Sequence, residues 1–141
     1  IYAADRLPLD RLRKGLPLLV GTDDVFTNHI HAEDLASACI AALHRGDANR
    51  IYNACDNSDI CMGDWYDKLA DAFALPHSPR LPRSEAENVL PPMQFSFMCE
   101  SRRIGNARIK RELKLQLRYP TIDTGISAAR QQAGGAAHAL G

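Results

Sequence analysis

His29 and His31 stand two residues apart in the stretch TNHIHAEDLASACIAALHRG (27–46), with Glu33 and Asp34 close behind. Groups of these types could ligate a metal or, joined by Ser37, make a nucleophile and its base. Alternation along a strand would put both histidines on one side. A metal site takes three or four ligands, however, and the two acids fall beyond the point where the pattern turns helical, so no metal is expected. Ser37 falls in mid-helix and no Gly-x-Ser-x-Gly elbow exists, so no catalytic residue is assigned. Cys39, Cys55, Cys61 and Cys99 are irregularly spaced with no Cys-x-x-Cys pair, and read as structural thiols, Cys39 as a small buried one. Asn53 and Asp56 fall where a strand meets a loop, the usual rim of a pocket in open α/β sheets; local turn bonding by Asp56 is the competing reading.

Charge adds one more candidate. The formal net charge is zero, but residues 1–75 carry twelve acids against seven bases and residues 76–141 carry five against ten. The excess gathers in RRIGNARIKRELKLQLR (102–118), where seven Lys/Arg meet only Glu112. Such a patch could meet phosphate on nucleic acid or on a nucleotide, with Arg102 and Arg103 at its head. A solvated helix face is the plainer reading, and the scarcity of aromatic residues within the patch makes nucleic acid the least favoured partner.

The elements that must position these groups follow from periodicity. At 141 residues the chain is long enough for a real core, and its 45% hydrophobic and 24% charged residues are those of a globular protein. No apolar run approaches the roughly 20 residues of a membrane span, and no basic-then-apolar leader opens the chain, so a cytoplasmic setting is expected. Leu9 and Leu12 after Pro8 predict a short helix stopping at Gly15. LPLLVG and VFTNHIHA predict strands, and from Glu33 the pattern becomes a helix with a Leu35/Cys39/Leu43 stripe, widened by Ala36 and Ile40 and ended by Gly46. RIYNACD predicts a further strand. MGDWYDKLADAFALP predicts a helix with Trp65, Leu69 and Phe73 along its core face. Ser84 and Glu87 suggest a capping box. PPMQFSFMCE predicts a helix with Pro in its first turn, a loop lid being the alternative. Asn106 and Thr121 are the expected caps of two last helices. Residues 1–132 thus form the folded portion and 133–141 a small-residue tail expected to be disordered. The class is α/β, with short strands among several helices and too few strands for a complete doubly wound sheet.

The order of these segments resembles the C-terminal part of an extended or atypical short-chain dehydrogenase/reductase, of the NAD-dependent epimerase/dehydratase superfamily. IYAADRLPLDRL is similar to that family's Gly-Ile-Tyr-Gly-Pro-Gly-Arg segment. NHIHAEDLASACIAAL resembles its Ile-His-Val-Asp-Asp-Leu-Ala stretch, RIYNACDNSD its Tyr-Asn-x-x-Asp strand, and RRIGNARIKRELKLQLRYPTIDTGI its terminal Asn-x-x-Leu-Lys-x-Glu-Leu block. The resemblance implies a partial Rossmann-type fold lacking the dinucleotide-binding half. The family's Gly-x-x-Gly-x-x-Gly turn and Tyr-x-x-x-Lys pair have no counterpart here, since Arg6, Asp56, Ala70 and Asp123 follow the four tyrosines at that spacing. Ala3, Ala4 and Asp5 replace the glycines and proline of the opening motif. Thr27 stands where nucleotide-sugar epimerases carry a diphosphate-gripping arginine, which argues against such substrates.

By this resemblance the chain is a C-terminal substrate-binding fragment of an NAD(P)-dependent oxidoreductase, inactive in isolation, binding no cofactor itself while the intact parent would use NAD or NADP. His29, Asn53, Asp56, Arg102 and Arg103 are the candidate contacts to a small, sugar-like substrate. His31 and Asp34 are the structural junction, and Ile1 and Tyr2 the nicotinamide-side loop. The partner would be the missing N-terminal half or a second copy. A stand-alone binding or self-association module is one alternative, and nucleic-acid or phosphate binding through 102–118 the other.

Overall fold

The computed structural model describes residues 1–138. After a single 3-10 turn (Ala4–Arg6), the elements are α1 (Leu9–Arg13), β1 (Leu18–Leu19), β2 (Phe26–Thr27), α2 (Ala32–Arg45), β3 (Ile60–Cys61), α3 (Met62–Phe73), β4 (Arg80–Leu81), α4 (Arg83–Val89), α5 (Pro92–Met98), α6 (Ala107–Leu113) and α7 (Ile122–His138). The class is mixed α/β, with seven helices and four strands of two residues each among the described residues. They fall into two compact units, both discontinuous in sequence: a first of Ile1–Leu7, Asn28–Ser58 and Ile104–Gly141, and a second of Pro8–Thr27 and Asp59–Arg103.

The second unit makes its own β pairs. β1 runs parallel to β4 with Leu18 opposite Arg80, and β2 antiparallel to β3 with Phe26 opposite Cys61. Leu18, Leu19, Val25, Met62, Ala86, Leu90 and Met98 form its core, with Tyr66, Leu81 and Phe95 packed alongside. Of the stripe read on α3, Trp65 and Leu69 are buried and Phe73 is half-buried. PPMQFSFM forms α5, with Pro92 at its first position, where a missing N–H is not needed. The expected capping box at Ser84 does not form. α4 begins one residue earlier, and the Arg83 N–H is met by the Asp23 carboxylate at 2.8 Å. A carboxylate from a distant loop does there what Ser84 was expected to do.

The first unit is built on α2, α6 and α7. The stripe read on α2 is rotated. Its buried residues are Asp34, Ala38 and Ala41, and the last two pack on Ile109, Leu113 and Leu115. Small side chains let the α2 and α6 backbones approach closely, which leaves Cys39, Ile40 and Leu43 outside, Leu43 at 85% exposure. Cys39 is therefore an exposed thiol and not a core one; all four cysteines are free. Two predicted strands shrink. VFTNHIHA keeps only β2 and an isolated parallel bridge between Tyr2 and His31, and RIYNACD forms no strand. α7 runs to His138, across most of the stretch expected to be a disordered tail; residues 139–141 lie outside the described residues.

Candidate functional site

In the first unit the chain passes from extended backbone to helix at His31. Its φ/ψ of −67°/143° puts it at the N-cap of α2, where the ring Nδ1 accepts from the Glu33 N–H at 3.3 Å. Tyr2 crosses beside it: the Tyr2 N–H donates to the Ile30 carbonyl (3.1 Å), and Ala32 N–H to the Tyr2 carbonyl (2.8 Å). One turn into α2, the Asp34 carboxylate accepts from the Arg118 and Tyr119 N–H groups at 2.7 and 2.9 Å. The Arg118 guanidinium meets Glu33 at 2.7 Å, and the Tyr119 ring lies 3.9 Å from the His31 ring. The helix start thus holds the segment that leads into α7, and charge at the helix N-terminus is satisfied by Glu33 and Asp34.

Asp56 closes the same cluster. Its N–H donates to the His29 carbonyl (2.7 Å), and its Oδ1 accepts from Ser58 N–H (2.8 Å). Ser58 Oγ in turn accepts from Ile122 N–H at the start of α7 (2.9 Å). Asn106, read in the sequence only as a cap, makes no side-chain cap bond. Its amide donates instead to the Cys55 and Asp56 carbonyls and to Asn57 Oδ1, at 2.8, 3.0 and 3.0 Å. Thr121 does cap, through a 3.4 Å bond to its Oγ1 from Thr124 N–H. The Tyr2 ring stands edge-on to His31 and His29, with centroids 5.3 and 6.3 Å away, and its hydroxyl donates to the Thr121 carbonyl at 3.5 Å. Gly125 makes this possible, because a Cβ there would lie 2.1 Å from the Tyr2 hydroxyl oxygen.

Burial sets the electrostatics. It lowers His29 to about 4, so the ring is neutral at pH 7. It raises Asp56 to about 6, a rise opposed by the two Ser58 bonds and reinforced by Asp34. The Tyr2 phenol is pushed well above its ordinary value by burial, then by Asp56 and Asp34. The cluster therefore offers a neutral imidazole at His29 and a carboxyl at Asp56 that keeps its proton up to about pH 6, while the Asp34 carboxylate is already engaged by two N–H groups. That suits hydroxyl and carbonyl groups better than a phosphate.

The structure brings together Tyr2, His29, His31, Asp34 and Asp56, and adds Tyr119, Ser58 and Asn106, which sequence reasoning did not assign. Asn106 was marked only by its place before α6, and no local pattern marks Tyr119 or Ser58. Asn53 is exposed, and Ile1 is 63% exposed at the edge of the unit. Arg102 and Arg103 belong to the second unit. Arg102 pairs with Glu100; Arg103 pairs with Asp59 and lies over the Phe26 ring at 4.4 Å. No group of three or more His, Cys, Asp or Glu able to hold a metal occurs among the described residues, nor any helix long and apolar enough to cross a membrane. α3 carries Gly63 at its second position, but that N–H already donates to Asp24 (2.9 Å), and the space a Cβ would fill is taken by Arg80. No described helix start offers a glycine-rich cradle for a pyrophosphate.

No protein-family model and no curated protein matches the sequence. Solved structures do. A functionally unknown conserved protein from Silicibacter pomeroyi is 32% identical, with a TM-score of 0.80 over 93% of this chain and 46% of that one. The human epimerase family protein SDR39U1 (isoform 2), solved with NADPH, is 19% identical, with a TM-score of 0.70 over 87% of this chain and 41% of its own. RMD from Pseudomonas aeruginosa, complexed with NADPH, is 22% identical, with a TM-score of 0.55 over 86% and 37%. The fold is that of the short-chain dehydrogenase/epimerase-like proteins, in the partial Rossmann-type form expected from the sequence. The chain spans less than half the length of each of these structures.

Proposed function

We propose that the chain is the substrate-binding part of an NAD(P)-dependent oxidoreductase of epimerase/dehydratase type, and that by itself it turns nothing over. The supporting observation is the match of nearly the whole chain to under half of three structures, two of them holding NADPH. The dinucleotide would be held by polypeptide other than the described residues, with Ile1 and Tyr2 nearest to it. The substrate is a small, neutral, sugar-like molecule. His29 and Asp56 are its contacts, because burial leaves the His29 ring neutral and the Asp56 carboxyl a hydrogen-bond acceptor, both suited to hydroxyls; Asn53 is a further contact. Four free thiols suit a reducing, cytoplasmic setting. The test is an assay of the purified chain with NADH and NADPH over a panel of sugars and small hydroxy-carbonyl compounds, together with NADPH fluorescence titration. No turnover and no cofactor binding are expected, while chemical shifts of His29 and Asp56 move with the sugar ligand. Turnover by the 141-residue chain would overturn the reading.

A stand-alone self-association module is the second reading, favoured by Val89, Met93 and Phe97, all exposed in the second unit. A monomer by light scattering removes it. Nucleic-acid binding is disfavoured by the local pairing of the basic stretch: Arg102 with Glu100, Arg103 with Asp59, Arg111 with Glu112 and Arg118 with Glu33.

A further inference from the structure

Ile40, Ala41, His44 and Arg45 recur along α2 at three- and four-residue intervals and so share one face of the helix. Lys114, Leu115 and Gln116, which follow the last turn of α6, stand opposite that face, and the two sides line a cleft of about 350 Å³. Ala41 and Leu115 are buried and make its floor, and Ile40, at 59% exposure, is its apolar wall. His44, Arg45, Lys114 and Gln116 are exposed around the mouth. The cleft lies within the first unit and shares no residue with the Tyr2–Asp56 cluster.

The mouth carries cations, and no Asp or Glu lines the cleft. Arg45 is fixed there, because its Nη1–H donates to the Leu113 carbonyl at 2.8 Å and ties the end of α2 to the end of α6. Lys114 and His44 have no hydrogen-bond or ion-pair partner among the described residues. The nearby acids are committed elsewhere, Glu33 to Arg118 and Glu112 to Arg50 and Arg111. Cations in a last helical turn ordinarily offset the helix dipole, and a helix C-terminus counts as roughly half a negative charge. Two such ends meet here, amounting to about one charge, against the two of Arg45 and Lys114. The surplus of about one positive charge fits a monoanion better than a dianion.

We propose that this cleft binds a small amphiphilic monoanion, a carboxylate on a short apolar body. The carboxylate sits between Arg45 and Lys114, with the Gln116 amide as a neutral donor, and the apolar body lies over Ile40, Ala41 and Leu115. The Ser37 hydroxyl, also in the lining, already donates to the Glu33 carbonyl (2.9 Å) and takes no part in holding the anion. The volume is at the small end of ligand pockets, which admits a chain or ring of several carbons and not a nucleotide. The proposal stands whether or not the chain belongs to an oxidoreductase.

The experiment titrates the 141-residue chain, labelled for amide NMR, with octanoate, acetate, 1-octanol and octyl phosphate. Octanoate is expected to move the Ile40, Ala41 and Leu115 signals in a saturable way. Acetate lacks the apolar body and 1-octanol the charge, so each should bind at least about tenfold more weakly. Lys114 has a φ of 54°, in the left-handed region that glycine adopts freely, so Lys114→Gly removes the ammonium and keeps the fold by circular dichroism. It should weaken octanoate by about threefold to tenfold, with Lys114→Arg restoring the affinity. Ile40→Ser, at an exposed position, should weaken it to a similar extent. Lys14→Ala removes one charge from the second unit and should change nothing, which separates a local site from the field of the whole chain. Shifts that map away from the cleft, acetate or 1-octanol binding as well as octanoate, or Lys114→Gly binding like the wild type would each overturn the proposal. Octyl phosphate binding about tenfold more tightly than octanoate would overturn the assignment of a monoanion.

Discussion

The two units solve the problem of short strands differently. The second pairs its own, β1 with β4 and β2 with β3, and fills the space between them and its helices with Leu18, Leu19, Met62 and Met98. The first contains sequence of equal strand character in RIYNAC, but leaves it unpaired. It spends polar side chains on a junction: Asp34 on two N–H groups, Ser58 on the start of α7, Asn106 on three oxygens. Strand character is thus a property of the segment, and strand formation a property of its neighbours. Where a neighbour lies alongside, as for β1 and β4 or β2 and β3, the strand forms.

Five variants break or sharpen this contrast. The largest effect is expected from Asp34→Ala, which leaves the Arg118 and Tyr119 N–H groups without an acceptor inside the first unit. Unfolding followed by tryptophan-independent circular dichroism should show a loss of about 3 kcal/mol or more. If the loss is under about 1 kcal/mol, the junction does not hold the unit together. Next comes Gly125→Val, whose side chain would overlap the Tyr2 ring: a loss of about 1–3 kcal/mol is expected. Gly63→Ala in the second unit should cost less, because its neighbours are the movable tips of Arg80 and Asp24.

Asp56→Asn should act in the opposite direction. A folded carboxyl raised to about 6 binds its proton more tightly than the unfolded one at 3.8, so wild-type stability falls as pH rises from about 4 to about 6. The amide carries no charge to bury and its oxygen can still accept from Ser58. The variant should therefore gain of order 1 kcal/mol above pH 7, with a flatter stability–pH curve. A loss at pH 8 would show that the charged carboxylate is favoured. The smallest effect belongs to His77, an exposed ring meeting Asp71 at 2.8 Å and Asp67 at 3.2 Å. The Asp71 bond, then charge, raises its pKa. Its help is fully present below the ordinary histidine value of 6.5 and is lost as pH rises through the raised one. His77→Ala should lower the melting temperature slightly at pH 5.5 and leave it unchanged at pH 9.

Reading the sequence located every helix to within a few residues, because helices are written in local periodicity and caps. The α3 stripe of Trp65 and Leu69 and the Thr121 cap are examples. The α2 stripe was misjudged because Leu35, Cys39 and Leu43 are as well spaced as Ala38 and Ala41. Only the closeness of α6 decided that the small face turns inward. Cys39 went wrong with it. The capping box at Ser84 was displaced by Asp23, sixty residues away in the chain, a competitor no local pattern reveals. Of the candidate site, His31 was legible as the start of α2, while Asp56, read as a strand end, follows a segment that forms no strand. The roles of Asn106 and Tyr119 were not, since each depends on bonds to residues far away in sequence.

What the sequence by itself determined is the α/β class, the helix positions, the place of His31 at the start of α2, and the lack of a Gly-x-x-Gly-x-x-Gly turn and a Tyr-x-x-x-Lys pair. These are matters of residue type and short-range spacing. Only the tertiary structure decided which helix faces are buried, that Arg102 and Arg103 are tied to carboxylates, that Asp56 is buried beside His29, and that RIYNAC joins no strand among the described residues. Each of those depends on what lies across a gap of tens of residues, where packing and desolvation outweigh any local preference.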